Sequence, residues 1–150
     1  MIKKASLVSA AVMAIATPLV MQQEGLVLTR YLDQVGVATY CYGETEGVSD
    51  KTYTPKECHD LLKIKLGYIA YNIDAIVEPE LNPHTHAALS SWGYNVGMAN
   101  VERSTLIKKL NRGDIVGACN ELPRWVYAKG KKLNGLIKRR EIERKLCLTT

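Results

Sequence analysis

The sequence contains no internal repeat, no low-complexity segment and no phenylalanine in its 150 residues. Charged residues make up only 23% of the chain, whereas hydrophobic residues make up 47%. This composition excludes disorder over most of the chain. The length is that of one domain, which can bury roughly two-thirds of its unfolded surface without cross-links.

No two of the four cysteines have the two-residue spacing that is typical of a zinc site. We therefore predict no metal centre and no cofactor. Their even number favours disulfides in an oxidising compartment, with reduced core cysteines as the alternative. Pairing Cys41 with Cys58 and Cys119 with Cys147 closes the shortest loops, but the sequence allows three connectivities.

Residues 5–21 carry no charged side chain and follow Lys3 and Lys4. A membrane-spanning helix needs about 17–25 mostly apolar residues, so this alanine-rich segment is only just long enough. Three interpretations remain open: a signal peptide cleaved near Ala16, an uncleaved anchor with a cytoplasmic N-terminus, or a buried core helix. The first two send the rest of the chain across the inner membrane.

Charge is unevenly distributed along the chain. Residues 1–100 carry 7 Lys/Arg and 10 Asp/Glu, a net of −3, and residues 101–150 carry 13 and 5, a net of +8. A basic half favours an anionic partner, such as nucleic acid, a membrane surface or a wall polymer. The helix predicted around Arg139 and Arg140 has no aromatic residue, so we do not expect nucleic-acid binding.

Local patterns predict an α+β fold, with a small antiparallel hairpin sheet followed by helices. The β-branched and aromatic residues at Val35–Tyr42 are typical of a strand. Thr54, Pro55 and Glu57 have the spacing of a capped helix start. Further helices are predicted near Tyr68–Val77, from Asn82-Pro83, after Ser104, from Asp114 to Leu122 and over Leu136–Leu146.

Glu24 and Asp33 lie nine positions apart, on either side of a predicted turn, and Thr39 follows six positions later. Two such carboxylates can face one cleft from different elements. A protonated carboxyl can act as a general acid, while an ionised one can orient water or stabilise a cation. The spacing alone does not distinguish this pair from two solvated surface residues.

Three blocks of sequence resemble, in the same order, the motifs of the phage-type lysozymes, a family of glycoside hydrolases. They cover residues 24 to about 147. The segment before Glu24 also resembles the anchor of the signal-arrest-release endolysins of lambdoid phages. The blocks are Glu24-Gly25, Tyr31, Asp33, Gly36, Thr39 and Tyr42-Gly43-Glu44-Thr45; then Tyr94-Asn95-Val96-Gly97 and Ser104-Thr105-Leu106; then Gly130-Lys131 and Gly135-Leu136-Ile137-Lys138-Arg139-Arg140-Glu141.

The resemblance implies a lysozyme-like catalytic domain at residues 22–150, preceded by an anchor at residues 1–21. It implies that Glu24 is the general acid, that Asp33 helps to activate water and stabilises positive charge on the sugar, and that Thr39 positions that water. The implied reaction inverts the anomeric carbon, which fits carboxyl groups roughly 6.5–9.5 Å apart.

The resemblance also assigns supporting or substrate-binding roles to Tyr42, Asn95, Arg139 and Arg140, with one of the two arginines near Glu24. The sequence departs from the family at two positions. Glu44 replaces the usual histidine, and Cys41 stands where many members have glycine, which suggests a disulfide near the cleft.

The implied function is a muramidase that hydrolyses the β-1,4 bond between N-acetylmuramic acid and N-acetylglucosamine in peptidoglycan and lyses the host. A lytic transglycosylase and an inactive periplasmic wall-binding module are the alternatives. The expected partners are peptidoglycan and, through residues 5–21, the inner membrane, from which a monomer is released to the periplasm.

Burial can also be predicted. We expect Leu136, Ile137, Ile142 and Leu146 to face the core from the last helix, with its Arg, Lys and Glu residues facing solvent. We expect His86 to be exposed, and we expect Trp92 and Trp125 to lie in the core rather than to form sugar-binding platforms.

Overall fold

The computed structural model describes residues 8–150, which form an α+β fold with two small antiparallel sheets. The predicted fold class is therefore confirmed, and the second sheet is a hairpin that the sequence patterns did not indicate. The helices are α1 (Ala10–Glu24), α2 (Pro55–Ile76), α3 (Pro83–Val96), α4 (Met98–Arg103), α5 (Thr105–Asn111), α6 (Ile115–Cys119) and α7 (Asn134–Cys147), and the strands are β1 (Val27–Leu32), β2 (Ala38–Cys41), β3 (Tyr127–Ala128) and β4 (Lys131–Lys132).

The first hairpin pairs β1 with β2, and Tyr31 lies opposite Thr39. The predicted strand Val35–Tyr42 begins three residues late, because residues 35–37 belong to the turn. The Asp33 carboxylate accepts hydrogen bonds from the backbone N–H groups of Val35 and Val37, at 2.9 and 2.8 Å. These bonds compete with strand pairing and fix the turn.

Helix α2 begins at the predicted capping box, in which Thr54 and Glu57 bond each other's backbone N–H groups. The helix predicted near Tyr68–Val77 is not separate but forms the second half of α2. Buried residues recur through this 22-residue helix at helical spacing, and neither Pro nor a cap interrupts them. They are Cys58, Leu62, Leu66, Ile69, Ala70 and Ile73.

Helix α1 packs on α2 and α3 and buries Val12, Ala16 and Val20 at four-residue spacing. Ser9 caps the helix by accepting a hydrogen bond from the Val12 N–H at 3.2 Å. The helix runs without a break past residue 21, where we expected the anchor to end, and carries Glu24 as its last residue. Within residues 8–150, no helix has the length and apolar character needed to cross a membrane.

The burial pattern of α7 confirms the prediction for Leu146, which packs against the core, but the predictions for Ile137, Ile142 and three charged residues are wrong. Ile142 is 47% exposed, whereas Arg139, Arg140 and Glu143 are buried. These charged residues can face inward because they pair with one another and with Glu24. An amphipathic pattern does not anticipate such a network.

Two aromatic positions and one histidine complete the comparison. Trp92 is fully buried, and Trp125 packs edge-on against it with ring centroids 5.5 Å apart, which confirms the core assignment. The expectation for His86 is wrong: the ring is buried against α2, with Nε2 2.9 Å from the carbonyl oxygen of Ala70.

Both short-loop disulfides are present. Cys41–Cys58 joins β2 to α2, and Cys119–Cys147 joins α6 to α7. The first lies next to the hairpin that carries Asp33 and Thr39, as the replacement of glycine by Cys41 suggested.

Replacing Cys119 and Cys147 together by alanine should lower the free energy of unfolding by about 3–4 kcal/mol. The disulfide spans 28 residues, and cutting a loop of that length restores chain entropy to the unfolded state. Alanine is preferred to serine because serine would bury a hydroxyl at each of these solvent-inaccessible positions. Urea denaturation of the wild type and the double variant measures the difference, and a loss below about 1 kcal/mol contradicts the prediction.

Candidate active site

Glu24 lies where α1 ends, and the following Gly25 turns the chain with φ of 71°. Its side chain is 16% exposed, and Arg139 Nη1 donates a hydrogen bond to Glu24 Oε1 at 2.5 Å. Arg139 is therefore the member of the arginine pair that contacts Glu24. The pair joins the first and last helices of the described chain.

Arg139 is itself held from two further directions. Its Nε donates to Glu143 Oε2 at 3.2 Å, and its Nη2 donates to the carbonyl oxygen of Ser91 at 3.0 Å. Burial alone would lower the pKa of Arg139, but the carboxylates of Glu24 and Glu143 outweigh burial and raise it. The guanidinium is thus a fixed positive charge beside Glu24.

Asp33 and Thr39 occupy opposite ends of the hairpin turn. The two backbone N–H groups that hold Asp33 fix the orientation of its carboxylate. Thr39 is buried, and its hydroxyl donates to the carbonyl oxygen of Val37 at 2.8 Å. This bond uses the Thr39 proton and leaves oxygen lone pairs that can accept a hydrogen bond.

Tyr31 connects the two carboxylates. Burial raises the pKa of its phenol, and the negative charges of Glu24 and Asp33 raise it further, so its hydroxyl lies within the field of both. Tyr31 also pairs with Thr39 across the hairpin. We refer to Glu24, Tyr31, Asp33 and Thr39 as the candidate catalytic cluster. The sequence singles out Tyr31 only as part of a motif. Tyr31 and Asp33 are two positions apart, a spacing that places side chains on the same face of a strand, and this was the signal that could have placed Tyr31 near Asp33.

Gly43 gives the Glu24 carboxylate its space. Its φ is 71°, and a Cβ at this position would collide with Glu24 Oε2. A larger residue would therefore strain the backbone and displace the carboxylate at the same time.

Gly43→Ala should lower lytic activity about 100-fold, because a displacement of about 1 Å at a catalytic group has an effect of that size. Gly113→Ala is the matched control: its φ is 83°, and a Cβ there has no neighbour within 4 Å. Turbidity assays on permeabilised cells compare the two variants. Equal activity in both would contradict a specific effect on Glu24.

Asn95 and Tyr42, to which the resemblance assigns supporting or substrate-binding roles, each make a hydrogen bond within the protein. Asn95 Oδ1 accepts a hydrogen bond from Arg140 Nη2 at 2.6 Å, and the backbone carbonyl of Tyr42 accepts one from the Tyr94 hydroxyl at 2.7 Å. Burial and the nearby Glu24 and Glu44 raise the pKa of Tyr94 well above its ordinary value. Tyr94 therefore links the Glu24 cluster to Glu44.

Glu44, which replaces the histidine usual in the family, is buried and pairs with Lys65. Its Oε1 accepts hydrogen bonds from the N–H groups of Thr45 and Glu46 at 3.0 and 3.1 Å and lies 3.6 Å from Lys65 Nζ. The Lys65 ammonium also lies 4.8 Å from the Tyr94 ring centroid. The ion pair between Glu44 and Lys65 thus connects the loop after β2 to α2.

A cavity of about 630 Å³ opens beside this ion pair. Tyr94 and Asn95 belong to its wall, whereas Glu24, Asp33 and Thr39 do not. Ile64 and Tyr68 of α2 form another part of the wall and are 72% and 62% exposed. Sequence reasoning missed this cavity, since its lining comes from segments between residues 40 and 98 that are distant along the chain.

The four cysteines are all engaged in disulfides. Across residues 8–150, no three His, Cys, Asp or Glu residues are grouped so that they could hold a metal ion.

Residues 21–143 match the family model described as phage lysozyme. The chain belongs to the phage lysozyme family. It is 46% identical over 127 residues to the SAR-endolysin of Bacteriophage PS119, covering 83% of this chain and 76% of that protein. It is 39% identical over 121 residues to the SAR-endolysin of Escherichia phage Mu, covering 80% and 71%.

The fold agrees with this assignment. The endolysin from Escherichia coli O157:H7 phage FAHEc1 superposes with a TM-score of 0.80 at 26% identity, covering 98% of this chain and 96% of that one. The predicted lysozyme-like fold is thus confirmed. At the level of the family, the protein is a glycoside hydrolase of the muramidase class, with peptidoglycan as its substrate.

Proposed function

We propose that the enzyme hydrolyses the β-1,4 bond between N-acetylmuramic acid and N-acetylglucosamine with inversion of the anomeric carbon. The observation that carries this proposal is the placement of Glu24 at the end of α1, where Arg139 holds its carboxylate and the hairpin with Asp33 and Thr39 begins directly afterwards. The carboxyls come from a helix end and a hairpin turn, so a sugar ring can lie between them. One chain supplies the whole cluster, and a monomer is sufficient.

The three central residues have separate roles. Glu24 protonates the glycosidic oxygen as the bond breaks. Asp33, whose orientation the backbone fixes, helps to activate the attacking water and stabilises positive charge on the sugar. The Thr39 hydroxyl donates to Val37, and its lone pairs accept a hydrogen bond from the water and hold it in place.

The supporting residues act around this centre. Arg139 keeps the Glu24 side chain in one orientation. Arg140 donates a hydrogen bond to Asn95 and pairs with Glu143, which also contacts Arg139. The glycan continues into the cavity beside Tyr94, where the exposed Tyr68 ring offers an apolar face to a sugar.

Residues 1–21 form the regulatory segment and residues 22–150 the catalytic domain. The chain first lies in the host inner membrane through residues 5–21, with its N-terminus in the cytoplasm, and is then released to the periplasm. The SAR-endolysin names of its relatives support this order. So does α1, because the helix that carries Glu24 includes most of the same segment.

Digestion of purified peptidoglycan tests the reaction. Hydrolysis adds a water and leaves a reducing sugar end, whereas a lytic transglycosylase leaves an anhydro end that is lighter by one water. Mass spectrometry of the fragments decides between them. Anhydro ends would overturn the hydrolytic proposal, and binding without any fragments would favour an inactive wall-binding module.

A further inference from the structure

Glu143 is a fully buried carboxylate behind the catalytic cluster, and neither the resemblance nor the proposed reaction gives it a role. Three side chains converge on it. Arg139 Nε donates to its Oε2 at 3.2 Å, Ser91 Oγ donates to the same oxygen at 2.6 Å, and Arg140 Nε lies 2.8 Å from its Oε1. So many contacts to one buried group hold it in a single position.

When Glu24 is ionised, the four charges in this region balance. Glu24 and Glu143 are negative, and Arg139 and Arg140 are positive. Arg140 has no exposed surface, and its burial lowers its pKa to about 10, with the Arg139 charge acting in the same direction. Its Nη1 makes no hydrogen bond within the described part of the chain. Excess positive charge is therefore costly here.

A general acid must hold its proton until the leaving oxygen takes it. A guanidinium in contact favours the ionised form of a carboxyl, so Arg139 opposes protonation of Glu24. Glu143 contacts the same guanidinium from the other side and offsets part of its charge. Arg139 can therefore still orient Glu24, while Glu143 weakens the electrostatic effect of the Arg139 charge on Glu24.

We propose that Glu143 is a positioning residue that aligns Arg139 toward Glu24 and, by balancing the charges of Arg139 and Arg140, limits the positive potential that these two cations impose on Glu24. This inference rests on the proposed role of Glu24 as the general acid. It concerns a residue that does not touch the substrate.

The other groups that face Glu24 come from three elements. Tyr31 of β1 and Tyr94 of α3 have raised pKa values, because of burial first and the Glu24 charge second, and both stay neutral. Arg139 and Arg140 of α7 are the cations in its field. Removing Glu143 therefore changes the charge balance without removing a direct contact to Glu24.

The test compares the pH dependence of lytic rate in the wild type and in Glu143→Gln, which keeps the side-chain size. We expect the alkaline limb to move to lower pH by about one unit, because a net positive cluster ionises Glu24 earlier. Glu141→Gln is the matched control, with the same charge change on the same helix but in an exposed pair with Arg144. Its limb should not move.

Arg140→Gln gives an independent test with the opposite sign. Removing this buried cation should move the alkaline limb to higher pH, and the double variant should return it toward the wild-type position. Arg140→Gln also decides the matter if Glu143→Gln does not fold. Thermal unfolding of each variant identifies any that fail to fold.

The proposal is overturned if the alkaline limb of the pH profile stays at the wild-type position in the folded variants. An equal fall in rate at every pH would also overturn it, because a purely structural role gives that result. Failure of the proposed function looks different. In that case Glu24→Gln, measured in the same assay, keeps its activity.

Discussion

Glu24→Gln should lower the lytic rate about 10²–10⁴-fold, the range that a general acid contributes. Glutamine has the same size, and its carbonyl oxygen can still accept the hydrogen bond from Arg139 Nη1. It cannot supply a proton to the glycosidic oxygen. The loss should therefore appear in the rate of bond cleavage, with the fold unchanged.

The measurement is the clearing of chloroform-permeabilised Gram-negative cells, with thermal unfolding as the check on folding. Glu102→Gln, an exposed change on α4 with the same loss of charge, is the matched control and should be as active as the wild type. If Glu24→Gln folds normally and clears cells at nearly the wild-type rate, Glu24 is not the acid.

Local signals predicted the parts of the site that depend on neighbours in sequence. The capping box at Thr54 began α2 at the predicted residue, and the short-loop disulfides formed as preferred. The first hairpin was also predictable, because its turn residues and alternating strands are only a few positions apart. These features need no information about distant packing.

Charge burial in α7 could not be predicted in the same way. Hydrophobic periodicity assumes that arginine and glutamate face water. Arg139, Arg140 and Glu143 face inward because they pair with one another and with partners from α1 and α3. The partner Glu24 is 115 residues away along the chain. Motif resemblance placed an arginine near Glu24, and only the fold identified Arg139.

The cavity beside Glu44 escaped prediction for a similar reason. Its walls come from the hairpin, α2 and the α3–α4 junction, and no single segment of sequence carries a signature for it. The pairing of Glu44 with Lys65 depends on how closely α2 approaches the loop after β2. Sequence reasoning noted the unusual glutamate but had no means of finding its partner.

Control by topology leads to the other large expected effect. In the proposed membrane form, residues 5–21 span the bilayer and hold Glu24 at its surface, only three residues beyond the segment. In the folded protein α1 packs on α3 and brings Glu24 to Arg139. The two arrangements exclude each other, so lysis should begin only when the segment leaves the membrane.

Replacing Ala10, Ala11 and Ala14 by leucine should delay or prevent lysis. Each leucine favours insertion by a few tenths of a kcal/mol, or about 1 kcal/mol in total, which corresponds to a roughly fivefold shift in favour of the inserted form. All three alanines are exposed in the folded domain, while the buried face of α1 is formed by other residues. The change should therefore act on the membrane form and leave the released enzyme intact.

Two measurements separate these effects. Membrane fractionation during expression follows release, and clearing of permeabilised cells by purified protein follows the activity of the folded enzyme, which should equal that of the wild type. Glutamine at the same three positions is the matched control: it weakens insertion and should advance release. Lysis of the leucine variant on the wild-type schedule, or cleavage of the wild-type chain near Ala16 on export, would contradict control by a retained segment, because in either case the position of Glu24 would not depend on residues 5–21 leaving the membrane.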